Sequence, residues 1–166
     1  MFFVRTAMEK DLPRVREILI DTYYQTYSPL IGEKKVAEIC SEFHTIEALT
    51  EKLDRPNSEF LVADNGDVVG GMAFATQSDK EIFMHQLYVH PDFHGGKTGL
   101  HLLIEIENAF MDAETLALEV LPSNIRAIGF YEKYGFKRTG EERSDCGGMA
   151  GVPSIVMEKP VFYAED

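Results

Sequence analysis

Cysteine is scarce, positive charge is in the minority, and no apolar run is long. The two cysteines, Cys40 and Cys146, lie far apart in 166 residues. Nothing with metal-ligand spacing surrounds them, so neither a disulfide framework nor a zinc site is expected. A reducing, cytoplasmic setting fits this usage. The N-terminus, Met1-Phe2-Phe3-Val4-Arg5, meets charge too soon for a signal-peptide core, and no other stretch reaches membrane-spanning length. Neither secretion nor a membrane partner is expected. With 16 basic against 28 acidic residues the formal net charge is −12, which repels phosphate backbones, and no local basic patch offsets it. Nucleic acid is therefore not expected as a partner. The acidity favours basic substrates only weakly, because an acidic surface also serves plain solubility.

What is present is ordinary for a globular domain: 45% apolar and 27% charged residues. The length suits one domain over 1–166 with a core that needs no staples. No internal repeat or linker interrupts it.

Hydrophobic spacing sets out the elements. Phe2 to Arg5 reads as a strand, and Thr6-Ala7-Met8-Glu9 as a capping box opening a helix with Leu12, Val15 and Leu19 on one face. Val36, Ile39, Ile46 and Leu49 recur at helical spacing with a break between Ser41 and Thr45. Glu59–Ala63 and Val68–Ala75 flank Asn65-Gly66, a hairpin turn, and Glu81 to His90 adds a third strand that Pro91 stops. Leu100, Leu103, Ile106 and Phe110 mark a helix, and Leu116, Leu118 and Val120 mark a strand. A helix from Asn124 to Tyr134, closed by Gly135, precedes strand segments Phe136–Thr139 and Ser154–Met157. The order β-α-α-β-β-β-α-β-α-β-β predicts an α/β fold of three layers, a mixed and mostly antiparallel sheet with helices on both faces.

The stretch from Leu87 to Leu100 runs from a strand through His94-Gly95-Gly96-Lys97-Thr98-Gly99 into a helix. Glycines let a ligand approach the turn, and the free amides and dipole of the helix mouth favour a phosphate there. Alone, such a turn is as often a mere connector. A nucleotide-hydrolysing P-loop is excluded, since its spacing would demand glycine at Pro91.

Together with Asn124 and the segment Ala127-Ile128-Gly129-Phe130-Tyr131-Glu132-Lys133-Tyr134-Gly135-Phe136, this turn resembles the GNAT superfamily of N-acetyltransferases. The likeness is most specific over residues 85 to 136. It implies acetyl-CoA as co-substrate and direct acetyl transfer to a primary amine. The sequence around Asn124 and Tyr131 looks most like a bacterial spermidine/spermine acetyltransferase branch, which puts polyamines first among small amines. A homodimer is common in the family. The resemblance assigns the diphosphate to His94, Gly95, Gly96, Lys97, Thr98 and Gly99, the thiol end to Asn124 and Tyr131, and the reacting carbonyl to a backbone N–H of Leu87, Tyr88 or Val89 that a bulge frees from the sheet in a splayed strand. The family has Gln or Arg at the place of His94 and Gly at that of Lys97. A left-handed backbone at Lys97 would cost about 1–2 kcal/mol, a strain that Gly96 can absorb. These departures leave a non-catalytic acyl-CoA-binding sensor as the alternative.

The acceptor amine is almost wholly protonated at neutral pH, so a proton acceptor is required. Simple alternation places His85 on one face with Phe83, Leu87 and Val89, making it the first candidate, with Glu81 on that face as its rival. A lone histidine in a sheet is more often a hydrogen-bonded core residue. Tyr131, which would otherwise read as an aromatic on a buried helix face, is implied by the motif to protonate the departing thiolate. Ser144 to Gly151 is too small-residued to pack and is expected to be a loop near the acceptor site.

Overall fold

The computed structural model describes residues 1–143, 149 and 151–162. The loop expected over Ser144–Gly151 thus lies largely outside the described residues. Strand β1 (Phe3–Thr6) opens the chain, but the helix after it starts later than the Thr6 capping pattern predicts. Asp11 organises the entry instead. Its carboxylate accepts from the Met8 N–H at 2.8 Å and from two nitrogens of Arg5, each at 2.8 Å. One 3-10 turn (Glu9–Asp11) then leads into α1 (Leu12–Ile31), with Pro13 in the first turn, where no intrahelical bond is lost.

Helices α2 (Glu33–Phe43) and α3 (Ile46–Leu53) follow, the two short helices that the expected break separates. The break falls at His44–Thr45, where the Thr45 hydroxyl caps α3 by accepting from the Ala48 N–H at 3.2 Å. Strands β2 (Ser58–Asp64) and β3 (Val69–Ser78) flank the expected turn. There Asn65 Oδ1 accepts from the amides of Asp67 and Val68, and Gly66 takes φ +94°. The remaining elements are β4 (Glu81–Val89), α4 (Thr98–Asn108), β5 (Thr115–Val120), α5 (Ile125–Lys133), β6 (Lys137–Arg143) and β7 (Pro153–Pro160). The last two strands run longer than their apolar segments suggest, because they pair with each other along Lys137–Arg143.

All seven strands join one sheet in the order β1-β2-β3-β4-β5-β7-β6, antiparallel throughout except between β4 and β5. Period-two alternation splits its side chains between two cores. On one face Ala73, Ala75, Ile82 and Leu116 pack under Leu102, Leu103 and Ile106 of α4 and Ile128 of α5. On the other, Phe60, Val62, Met72 and Phe74 meet Val15, Ile18 and Leu19 of α1, Val36 of α2 and Leu49 of α3. Each fully buried aliphatic side chain here contributes roughly 1.5–3 kcal/mol. The three layers and the helices on both faces are those expected. No helix among the described residues is long and apolar enough to cross a membrane.

Candidate active site

The site forms where the middle of the sheet opens. Strands β4 and β5 pair only over Glu81–Phe83 and Thr115–Ala117, after which they separate. Two residues further on β4 carries a bulge: Ala75 faces Met84 but Phe74 faces Gln86, leaving His85 unpaired with β3. The extra residue shifts the alternation. His85 keeps the side of Phe83, with the two rings 4.9 Å apart, but Leu87 and Val89 turn to the α4 face and Gln86 and Tyr88 take the α1 face. The expected grouping of His85 with Leu87 and Val89 is corrected by this bulge.

Backbone direction follows from the same register. The His90 N–H donates to Gly70 O at 2.8 Å, so the facing pairs Met72–Tyr88 and Phe74–Gln86 are also the hydrogen-bonded ones. The amides of Leu87 and Val89 consequently point away from β3, into the gap that β5 has left. Val89 O is held there by the His94 ring, Nε2 to O 2.7 Å.

A cavity opens on the α4 side of this gap. Met84 to Val89, Phe93 to Gly96, Gly99, Leu118 to Val120, Asn124, Arg126, Ala127, Phe130 and Tyr131 line it, with Thr22, Thr26 and Tyr27 reaching in from α1. Gly95 adopts φ +89° and Lys97 an ordinary φ of −98°. The left-handed position feared at Lys97 thus falls on Gly95, and the Lys97 side chain brings no backbone strain. Lys97 caps α4 by position, and its carbonyl takes the first helical bond, from the His101 N–H at 2.9 Å. The amides of Thr98, Gly99 and Leu100 precede any intrahelical acceptor and face the helix mouth. Lys97 and Thr98 do not themselves line the cavity.

These residues fit a diphosphate-bearing coenzyme. A side chain at Gly95 would meet nothing within 4 Å, so that face of the turn is open. Thr22 Oγ1, buried and without a hydrogen-bond partner, borders the same cavity and offers a polar contact for an amide-bearing arm. Asn124 Oδ1 accepts from the Ala127 N–H at 3.3 Å and so caps α5. The Tyr131 phenol borders the gap. Its burial, and then the nearby Tyr27, push its pKa well above the usual value, so it is a protonated donor at neutral pH. Arg126 and Phe130, inside the motif but not singled out from sequence, also line the cavity, and Phe130 Cζ lies 3.5 Å from where a Gly99 side chain would begin.

A second cavity lies on the other face of the gap, beneath α2 and α3. Tyr27, Met84, His85, Gln86, Tyr88, Glu119 and Val120 border both. His85 Nε2 is 2.8 Å from Thr76 Oγ1. Burial first, then the cations Lys52 and Arg55, lower its pKa to about 4, which leaves the ring neutral. The Tyr88 hydroxyl sits between those of Tyr27 and Tyr23, at 3.2 and 3.3 Å. Glu119 of β5 was not anticipated. It is the one charged residue in Thr115–Val120, the only signal the sequence offered, and Ser154 Oγ donates to it at 3.2 Å. Glu81, the expected rival base, lies at the paired end of β4 opposite Thr115 and lines neither cavity.

An opened sheet with a free helix mouth suited to a phosphate on one face and a second cavity on the other has the frame of a two-substrate group-transfer enzyme. A model of the acetyltransferase (GNAT) family matches residues 12–136. The peptidyl-lysine N-acetyltransferase YjaB of Escherichia coli K12 is 39% identical over 127 residues, covering 69% of this chain and 81% of that protein. Its Salmonella typhimurium namesake is 34% identical over 84 residues, a match spanning 51% of this chain and only 52% of that protein. The crystal structure of PaiA N-acetyltransferase from Thermoplasma acidophilum in complex with coenzyme A shares the fold, with TM-score 0.84 and 23% identity over 96% of this chain and 99% of that one. The chain belongs to the acetyltransferase (GNAT) family and is an acetyl-CoA-dependent N-acetyltransferase.

Proposed function

We propose that the protein, as one domain over 1–166, transfers the acetyl group of acetyl-CoA directly to the primary amine of a small molecule. The observation that carries this reading is the gap between β4 and β5, where the two cavities share Met84 to Gln86, Tyr88 and Glu119. Coenzyme enters from the α4 side and amine from the α2–α3 side. Acetyl-CoA supplies an activated thioester, with its diphosphate on the amides of the His94–Gly99 turn. The Leu87 and Val89 N–H groups, freed from β3, hold the thioester oxygen as it gains charge. The amine gives up a proton, its nitrogen bonds to the acetyl carbon, the carbon–sulfur bond breaks, and Tyr131 protonates the thiolate.

Two groups at the gap can take the amine proton through water. The neutral His85 ring borders both cavities, but its Nε2 is engaged with Thr76 Oγ1 at 2.8 Å. The Glu119 carboxylate borders both cavities and takes the role in this reading. A second acceptor, the side-chain amine of a protein lysine, is favoured by the name of the 39% identical relative. Mass spectrometry of products from a panel of amino acids, polyamines, aralkylamines and lysine peptides, with thiol release followed in parallel, tests both. Thiol release with a matching acetylated amine is the expected result. Coenzyme binding without any acetylated product would leave only the sensor alternative.

A further inference from the structure

The second cavity contains charge that acetyl transfer does not explain. Lys52 of α3 and Arg55, just beyond it, both lie over the Phe74 ring, 4.8 and 5.5 Å from its centroid. The Lys52 ammonium donates to the neutral Gln86 Oε1 at 2.7 Å. Neither cation forms an ion pair with a carboxylate among the described residues, in a chain with 28 acidic residues. Glu51 and Glu119 border the cavity, yet neither is bonded to the pair. An ammonium drawn out of water without a counter-ion is unfavourable unless something supplies the negative charge. Burial, then Arg55, pull the Lys52 pKa down to about 8, in keeping with that cost. The His44 ring, 1% exposed, borders the same cavity with Nδ1 unpartnered, a further polar atom left for a ligand.

The cavity carries both signs of charge. Glu119 borders the gap where the amine must arrive, Lys52 reaches Gln86 beside it while Arg55 lies with Lys52 over the Phe74 ring, and Phe43, Phe83 and Tyr23 add apolar lining. We propose that Lys52 and Arg55 are a specificity-determining pair that receives the carboxylate of the acceptor, so that the acceptor is a small amino-carboxylate rather than a polyamine. The two cations repel an acceptor with charge at both ends of the same sign as their own. A carboxylate answers both cations, and the ammonium of the same molecule is left facing Glu119.

This inference rests on the second cavity being the acceptor site, and its test keeps the two readings apart. Protein amino acids and their decarboxylated counterparts, such as L-phenylalanine with phenethylamine and L-lysine with 1,5-diaminopentane, are compared in turnover with acetyl-CoA. Their N-acetylated forms are compared in calorimetric binding to the CoA-loaded protein, which needs no turnover. At least one amino acid is expected to exceed its decarboxylated partner tenfold or more in kcat/KM, and its acetylated form to bind correspondingly tighter. The variant carrying Lys52→Gln and Arg55→Gln is expected to raise KM for that acid at least tenfold, with kcat within about threefold and CoA affinity retained. Lys52→Arg should keep the preference. A wild type that favours the decarboxylated amines, binds none of the carboxylates, or shows a preference only for acidic peptides overturns the proposal, as does an unchanged preference in a folded double variant. Selective carboxylate binding without any transfer would instead sink the transfer reading and leave the anion site standing.

Discussion

At the scale of single residues the chemistry divides among groups that border the gap between β4 and β5. Burial raises the Tyr131 pKa, so the phenol is protonated at neutral pH and cannot be the acceptor of the amine proton; its place at the gap, not the raised value, suits it to give its own proton to the thiolate. Tyr131→Phe keeps the ring and loses the proton. It is expected to lower kcat on the order of 10²-fold with CoA affinity unchanged in calorimetry, and an equal loss in both would remove Tyr131 from the acid role. Glu119 and His85 are separated in the same way. Glu119→Gln should lower kcat/KM on the order of 10²-fold at neutral pH, whereas His85→Gln, which can still meet Thr76, should lower it less than about tenfold. The reverse order in pH–rate profiles of the two variants would return the base to His85.

At the scale of elements, what each strand or helix contributes depends on features with very different visibility in the sequence. Helix α5 announces itself, because Asn124 is a cap residue directly before an apolar face. Its side chain does cap, and Asn124→Ala should destabilise the fold by about 1 kcal/mol, while Asn124→Asp, which keeps the accepting oxygen, should not. If coenzyme binding weakens in both variants while stability falls in only one, Asn124 also contacts the coenzyme arm, and thermal melts with calorimetry will tell. The glycine turn and β4 were equally legible, since proline, glycine and alternation are local signals. The entry to α1 was not, because Asp11 is fixed by Arg5 and by its own return bond to Met8, which out-compete the Thr6 pattern. Nor was the position of the bulge. One extra residue in β4 leaves the composition of the strand unchanged, and only pairing with β3 shows that Leu87 and Val89 face away from His85. Glu119 was overlooked for a related reason: its meaning depends on β5 leaving β4, a property of two strands that neither carries alone.

At the scale of the whole molecule, a sheet opened in its middle exposes interior to two cavities, and the polar groups placed there set its response to pH. His44, at the α2–α3 junction, and His85, on β4, both lie within the field of Lys52. Burial first, then Lys52 and a nearby arginine, hold both near 4 against 6.5 for a free ring. Between those values the unfolded chain binds protons that the native rings refuse, so stability falls as pH drops from about 6.5 toward 4. For the fully enclosed His44 the effect amounts to at most about 3 kcal/mol by pH 4. Lys52 acts at the other end of the scale. With its native value near 8 against 10.5, the unfolded chain again holds the extra proton, and stability rises as pH climbs from about 8 to 10.5. Urea unfolding across this range should therefore show a midpoint that falls on the acid side and gains on the alkaline side. His44→Gln should flatten the acid limb, and Lys52→Gln should remove the alkaline gain. If a carboxylate fills the pair formed by Lys52 and Arg55, adding the preferred amino acid should also abolish that gain, because a paired ammonium keeps its proton in the folded state.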